Sequence, residues 1–171
     1  MERPVRVGIV LGSDSDLDVM LDAVKTLDAL EIGCEVVVAS AHRTPKRTEE
    51  YATGAAGRGL GVLIGAAGGA AALPGVLAAL SPLPVIGVPI ASTPLNGIDA
   101  LLSIVQMPPG VPVATVAVGK WGARNAAILA AQILATADAA LRERLVAYRR
   151  RLADEVEQRA QRVAEQLRSR S

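Results

Sequence analysis

Aromatic and cysteine side chains are scarce in this sequence. Among its 171 residues there are no phenylalanines, one tryptophan, two tyrosines, one cysteine and one histidine. Because Cys34 has no second cysteine to pair with, an intrachain disulfide is excluded and a reducing, cytoplasmic setting is favoured. One cysteine and one histidine cannot supply the usual soft ligands of a metal site, so we expect no bound metal.

A dominant charge and an uninterrupted hydrophobic run are also missing. The chain has 18 basic and 17 acidic residues, a net charge of +1. No field of one sign therefore attracts nucleic acid or an acidic membrane surface. The first ten residues lack the layout of a signal peptide, and residues 60–80, the most hydrophobic stretch, contain five glycines and a proline. These absences favour a small-molecule partner over nucleic acid or a membrane.

Small aliphatic residues are abundant, with 51% hydrophobic residues, 16 glycines and a mean hydropathy of +0.36. Continuous apolar runs predict strands over residues 5–11, 34–39, 62–66, 83–89 and 111–118. Helical patterns between and after them predict helices over about 17–30, 45–58, 73–80, 98–104 and 123–136. This alternation predicts an α/β fold, a three-layer doubly wound parallel sheet, with the flavodoxin-like strand order as the natural guess.

The last segment, residues 138–168, repeats apolar side chains at helical spacing and has charged residues on the opposite face. We therefore divide the chain into an α/β domain over 1–136 and a helical extension of the same domain over 137–171. Because helices already cover both faces of the sheet, we expect this helix to lie across a neighbouring subunit, at least in its first half. The alternative is packing on its own domain.

The only histidine lies in a loop that follows the second predicted strand, in the sequence Ser40-Ala41-His42-Arg43-Thr44-Pro45. Open α/β sheets bind ligands at the carboxyl ends of their strands. An imidazole can exchange protons near neutral pH, and a guanidinium can bind a phosphate or carboxylate through two hydrogen bonds. Together they indicate acid-base chemistry on an anion, although a solvated loop would have the same composition.

The first predicted strand is followed by Gly12-Ser13-Asp14-Ser15-Asp16 at the start of a helix. Free backbone N–H groups there form an anion site, or Ser13 and Asp16 simply cap the helix. Two carboxylates would repel a phosphate, so Asp16 is our candidate for binding sugar hydroxyls. The segment contains neither a G-K-[ST] phosphate loop nor a G-x-G-x-x-G dinucleotide motif.

A loop of glycine and alanine, residues 67–75, follows the third predicted strand. Such a loop brings the backbone close either to a ligand or to another element of the protein.

Four blocks in this order closely resemble the N5-carboxyaminoimidazole ribonucleotide mutase family, also called the catalytic subunit of phosphoribosylaminoimidazole carboxylase. They read G-S-D-S-D, S-A-H-R-T-P, A-G-G-A-A-A-L-P-G and S-I-V-Q-M-P-P-G-V-P-V-A-T-V-A-V-G, and the resemblance covers about residues 5–150. It implies an isomerase of de novo purine biosynthesis that uses no cofactor or metal and moves a carboxylate from N5 to C4 of an aminoimidazole ribonucleotide. It also implies a homo-octamer with active sites at subunit junctions.

The resemblance further implies roles for individual residues. His42 would be the acid-base residue, and a loop over the base and the transferred CO2 would contain Gly68, Gly69, Ala70 and Ala71. The residues that would bind the ribonucleotide are Gly12, Ser13, Asp16, Ser40, Ala41 and Arg43.

Two positions depart from the family pattern. The third block usually reads G-G-A-A-H-L-P-G, and this chain has Ala72 in place of that histidine. Trp121 stands where a small residue is common and would narrow the pocket or fill a subunit contact. A direct CO2-dependent carboxylase of aminoimidazole ribonucleotide, a related heterocycle decarboxylase and a non-catalytic nucleotide-binding assembly protein therefore remain as alternatives.

Overall fold

The computed structural model describes residues 3–169; residues 1–2, and residues 170–171 of the predicted extension, lie outside that range. Its single sheet consists of five parallel strands in the order β2-β1-β3-β4-β5. This is the flavodoxin-like order, which confirms the predicted topology. The strands are β1 Val5–Leu11, β2 Gly33–Val38, β3 Val62–Gly68, β4 Val85–Ile90 and β5 Ala114–Thr115.

Six α-helices complete the three layers. They are α1 Leu17–Ala29, α2 Pro45–Gly54, α3 Leu73–Leu80, α4 Ile98–Val105, α5 Lys120–Ala135 and α6 Ala139–Arg168. Side chains alternate across each strand, so Ile9 and Ile64 face the cluster of α1 and α5, whereas Val10 and Leu63 face α2, α3 and α4. The inner strands β1, β3 and β4 are buried on both faces, which explains their largely apolar sequences, whereas the edge strand β2 is only half-buried and contains Glu35.

Several boundaries differ from those predicted. The fifth strand was expected over 111–118, but only Ala114 and Thr115 pair with β4. Pro112 has no N–H to donate to a ladder. Helix α2 ends at Gly54 and continues only as a 3-10 turn, Ala56–Arg58, whereas α5 begins at Lys120, three residues earlier than expected.

The helical extension begins with a capped turn. The Asp138 carboxylate accepts the Leu141 N–H at 3.0 Å and pairs with the Arg6 guanidinium at 2.7 Å. Leu141 and Leu145 are buried in the core of the same chain, and Arg144 donates to the Leu30 carbonyl at 2.9 Å. These turns therefore pack in a groove beside α1 and α5 of their own domain, which was the alternative, and packing of this helix on a neighbouring subunit stays a prediction.

The remainder of α6 extends away from these contacts. Every described residue from 151 to 169 is exposed, although the helix continues to Arg168. Among residues 3–169, no helix is both long and apolar enough to cross a membrane.

Candidate active site

A cavity of about 340 Å³ opens at the carboxyl ends of β1 to β4. Because the strands are parallel, the loops that follow them converge at this one edge of the sheet. The lining residues are Gly12, Ser13, Ser15, Asp16, Ser40, Ala41, His42, Arg43, Ala67, Gly68, Ala70, Ala71, Ala72, Leu73 and Ser92.

The first wall is the turn between β1 and α1. Ser13 caps a 3-10 turn, Asp14–Asp16, and its backbone N–H donates to the Asp16 carboxylate at 3.2 Å, while the Ser15 hydroxyl donates to the Ser13 hydroxyl at 2.9 Å. Asp16 is 5% exposed, and burial raises its pKa above the ordinary value. Hydrogen bonds from the Ser13 N–H and the Ser15 hydroxyl, and the nearby Arg43 charge, act in the opposite direction. The turn thus presents a desolvated carboxylate beside hydroxyl groups.

The second wall is the loop after β2, which contains His42. The Arg43 guanidinium donates to the Gly12 carbonyl at 3.1 Å and so ties this loop to the first one. The Arg43 N–H donates to the Ser40 hydroxyl at 3.2 Å, and the Thr44 hydroxyl accepts the Ser40 N–H at 2.8 Å. Within residues 3–169, Arg43 has no carboxylate partner at ion-pair distance. Its charge is therefore available to an anionic ligand in the cavity.

The third wall is the turn from β3 into α3. Gly69 and Ala71 have φ of 62° and 40°, and the Ala71 N–H donates to the Gly68 carbonyl at 3.1 Å. A positive φ is unfavourable for alanine, and Ala71 is held there by burial, since it is only 3% exposed. The side chains of this wall that line the cavity are all aliphatic.

The cavity brings together every predicted site residue except Gly69, which belongs to the turn but does not line the cavity. Sequence reasoning missed Ser15 and Ser92 as lining residues. Ser15 stood within a recognised motif, whereas Ser92 follows the apolar run of β4 in a loop that matches no motif. Ala72, which was noted above only as a departure from the family pattern, also lines the cavity.

Trp121 lies in the first turn of α5 and is 82% exposed. It is not among the residues that line this cavity. In the described part of the chain, no group of three or more His, Cys, Asp or Glu side chains is placed to hold a metal ion.

Several known enzymes are similar to this chain over most of its length. The chain is 59% identical over 155 residues to the N5-carboxyaminoimidazole ribonucleotide mutase of Mycobacterium tuberculosis. The aligned residues are 91% of this chain and 87% of that protein. The mutase of Pyrococcus abyssi is 59% identical over 144 residues, spanning 84% of this chain and 82% of that protein. The phosphoribosylaminoimidazole carboxylase of Schizosaccharomyces pombe is 58% identical over 136 residues, which are 80% of this chain and 24% of that protein.

Among solved structures, PurE of Treponema denticola superposes with a TM-score of 0.79 at 26% identity, covering 89% of this chain and 94% of that chain. The family model described as AIR carboxylase matches residues 6–155. This chain belongs to the AIR carboxylase family.

Proposed function

We propose that this protein is an isomerase of de novo purine biosynthesis that converts N5-carboxyaminoimidazole ribonucleotide to 4-carboxy-5-aminoimidazole ribonucleotide. The observation that carries the proposal is the position of His42 and Arg43 in one cavity with the Ser13–Asp16 turn and the aliphatic turn after β3. The mutase names of relatives at 59% identity support the same reaction.

The reaction requires one group that both gives and takes a proton. The N5–carboxylate bond breaks, its electron pair stays on nitrogen, and protonated His42 supplies the proton that the departing amine needs. C4 then attacks the released CO2, and neutral His42 removes the C4 proton to restore the aromatic ring. One histidine can serve in both directions because an imidazole exchanges protons near neutral pH.

The remaining cavity residues bind and orient the ribonucleotide in this proposal. The phosphate is bound by the Arg43 guanidinium and the hydroxyls of Ser13 and Ser40. The Asp16 carboxylate accepts hydrogen bonds from the sugar hydroxyls. Backbone groups of Gly12 and Ala41 complete that end of the cavity. The turn from Gly68 through Gly69 and Ala70 to Ala71 covers the base and keeps CO2 from water.

Ala72 favours a second candidate, direct carboxylation of aminoimidazole ribonucleotide by CO2. The cavity wall has a methyl group where mutases usually have a second imidazole, so His42 is the only titratable nitrogen base among the lining residues. A direct carboxylase has to remove only the C4 proton, and a single base is enough for that step.

A coupled assay distinguishes the two reactions. Purified wild type and His42→Gln are offered N5-carboxyaminoimidazole ribonucleotide or, separately, aminoimidazole ribonucleotide with bicarbonate. We expect histidine-dependent turnover of the first substrate only, above its spontaneous decay. Turnover of the second only would identify a direct carboxylase, and no turnover of either would reject both enzymatic reactions.

We further propose that the protein is a cytoplasmic homo-oligomer, an octamer by resemblance to its family, whose small-molecule partners are the ribonucleotide and CO2. The exposed distal half of α6 supports contact between copies. Its apolar stripe includes Leu152 at 42%, Val156 at 64% and Val163 at 55% exposure.

A further inference from the structure

The two ends of the cavity differ in chemistry. The end formed by the loops after β1 and β2 contains the Ser13 and Ser40 hydroxyls, the Asp16 carboxylate and the Arg43 guanidinium. At the end formed by the loops after β3 and β4, the lining side chains are aliphatic with one exception, the hydroxyl of Ser92. A carboxylate placed at this second end would have only backbone N–H groups and Ser92 as hydrogen-bond donors.

Ser92 is held close against the turn after β3. A methyl group added to Gly68 would overlap the Ser92 hydroxyl and would lie 2.9 Å from its Cβ atom. A larger residue at position 68 would therefore require the Ser92 side chain to move. The approach places the hydroxyl directly beside the turn that forms the aliphatic end of the cavity.

The loop that presents Ser92 is itself fixed by hydrogen bonds. The Thr93 hydroxyl donates to the Asp99 carboxylate at 2.7 Å and accepts the Leu95 N–H at 3.2 Å. The Ser92 N–H donates to the Ile90 carbonyl at 3.1 Å, and the residue is exposed, so that its hydroxyl faces the open cavity and makes no hydrogen bond with residues 3–169. Ser92 thus offers a positioned and unoccupied donor.

We propose that the Ser92 hydroxyl donates a hydrogen bond to the carboxylate group before N5–carboxylate cleavage and to an oxygen of the neutral CO2 that cleavage releases, and so retains CO2 in the cavity until the carbon–carbon bond forms. This role rests on the proposed mutase reaction. The carboxylate of the substrate needs such a donor because a charge in an aliphatic environment is costly without one. The same hydroxyl then donates a weaker hydrogen bond to neutral CO2. No atom or electron is added to the reaction: Ser92 keeps its proton, and His42 performs both proton transfers.

The test compares Ser92→Ala with wild type and with Ser103→Ala. Ser103 is the matched control because its hydroxyl bonds only to the Asp99 carbonyl on the exposed side of α4, outside the cavity. Each protein receives N5-carboxyaminoimidazole ribonucleotide in ¹³C-bicarbonate buffer. The readouts are the ratio of released aminoimidazole ribonucleotide to C4-carboxylated product, corrected for spontaneous decay, and the fraction of product containing ¹³C.

For Ser92→Ala we expect both readouts to rise about threefold, since CO2 that has lost a hydrogen bond between neutral groups escapes more often before recapture. Ser103→Ala should match wild type. The same ratio and the same ¹³C fraction in Ser92→Ala as in wild type would overturn the proposed role while leaving the mutase reaction intact. Absence of wild-type turnover would instead overturn the mutase reaction and this role together.

Discussion

Asp16 is a buried carboxylate whose charge opposes folding. It is 5% exposed, and burial raises its pKa in spite of hydrogen bonds from Ser13 and Ser15. The folded protein therefore binds a proton at Asp16 more tightly than the unfolded chain does. The stability that protonated Asp16 contributes is fully present below the pKa of Asp16 in the unfolded chain. It is lost as pH rises through the raised pKa of the folded protein. A charged group kept at such a cost in a cavity indicates a function for the charge.

We therefore expect Asp16→Asn to be at least as stable as wild type at pH 7 and to bind the ribonucleotide more weakly. The stability gain should grow as pH rises from about 4 and disappear at lower pH, where Asp16 is protonated in the folded and unfolded states. Thermal melts between pH 3 and pH 8 and calorimetric titration with aminoimidazole ribonucleotide measure the two effects. Asp18→Asn, at an exposed carboxylate in the first turn of α1, is the control. A variant less stable than wild type at pH 7 would mean that the hydrogen bonds to Asp16 outweigh its burial.

Residues of the site could be predicted where polar side chains directly follow an apolar run. His42 and Arg43 come soon after β2, and Ser13 after β1, so strand prediction alone places them at one edge of the sheet. Ser92 also follows an apolar run, residues 85–91, but this position alone does not single it out. Its significance depends on contact with Gly68, 24 positions earlier in the sequence, and that contact exists only once β3 and β4 are paired.

At the scale of elements, the start of α6 depends on one carboxylate. The Leu141 N–H and the Arg6 guanidinium lower the pKa of Asp138 below its ordinary value. Its contribution to stability is therefore present above the unfolded pKa and is lost as pH falls through the lowered folded pKa. Asp138 joins the extension to the first strand of the domain.

We expect Asp138→Ala to lower the Tm by about 2–4 °C at pH 7, as is typical for the loss of an N-cap in a chain of this size. The difference from wild type should shrink as pH falls into the range where Asp138 becomes protonated. Differential scanning calorimetry at several pH values checks both statements. Asp154→Ala removes an exposed carboxylate from the same helix and should leave the Tm unchanged. Equal Tm values for Asp138→Ala and wild type would show that the cap does not stabilise the helix.

The short β5 shows why an apolar pattern is an incomplete guide to strands. Val113 packs against the cluster with α4, and Val116 packs against the cluster with α5. Both valines are partly buried, although neither belongs to the two-residue strand. Apolar residues report burial, whereas ladder pairing also requires backbone donors, and Pro112 provides none before the strand. After it, the Val116 N–H donates to the Gly87 carbonyl of β4 at 3.1 Å, although the ladder ends at Thr115.

For the whole molecule, the layered fold was predictable because the repeated strand–helix alternation allows few arrangements. Right-handed crossovers between parallel strands restrict the topology further. The path of α6 was not predictable in the same way. Its stripe continues from Leu145, which is buried, to Val156, which is exposed, with no change in residue type. Only the end of the groove along α1 and α5 decides where intrachain packing stops.

The exposed half of α6 gives the last prediction, which concerns assembly. Helix α6 is roughly 45 Å long, and its first turns alone are buried. Tyr148, Leu152 and Glu155 still border a groove with α1 and α5, but residues from 156 onwards pass beyond it. If that part lies on a neighbouring copy, charges placed on its apolar stripe must weaken the oligomer without unfolding the chain.

We expect the double variant Val156→Glu and Val163→Glu to have a lower assembly mass than wild type and a secondary structure that is unchanged. The matched control, Gln158→Glu with Gln161→Glu, adds the same charge to the opposite face of α6 and should keep the wild-type mass. Analytical ultracentrifugation measures the mass, and circular dichroism verifies the fold. Wild-type mass in the stripe variant would show that this half of α6 makes no contact between copies, and a monomeric wild type would reject the oligomer itself. A lower mass in both variants would show that the oligomer is weakened by added charge on any face of the helix, and not by charge on the apolar stripe in particular.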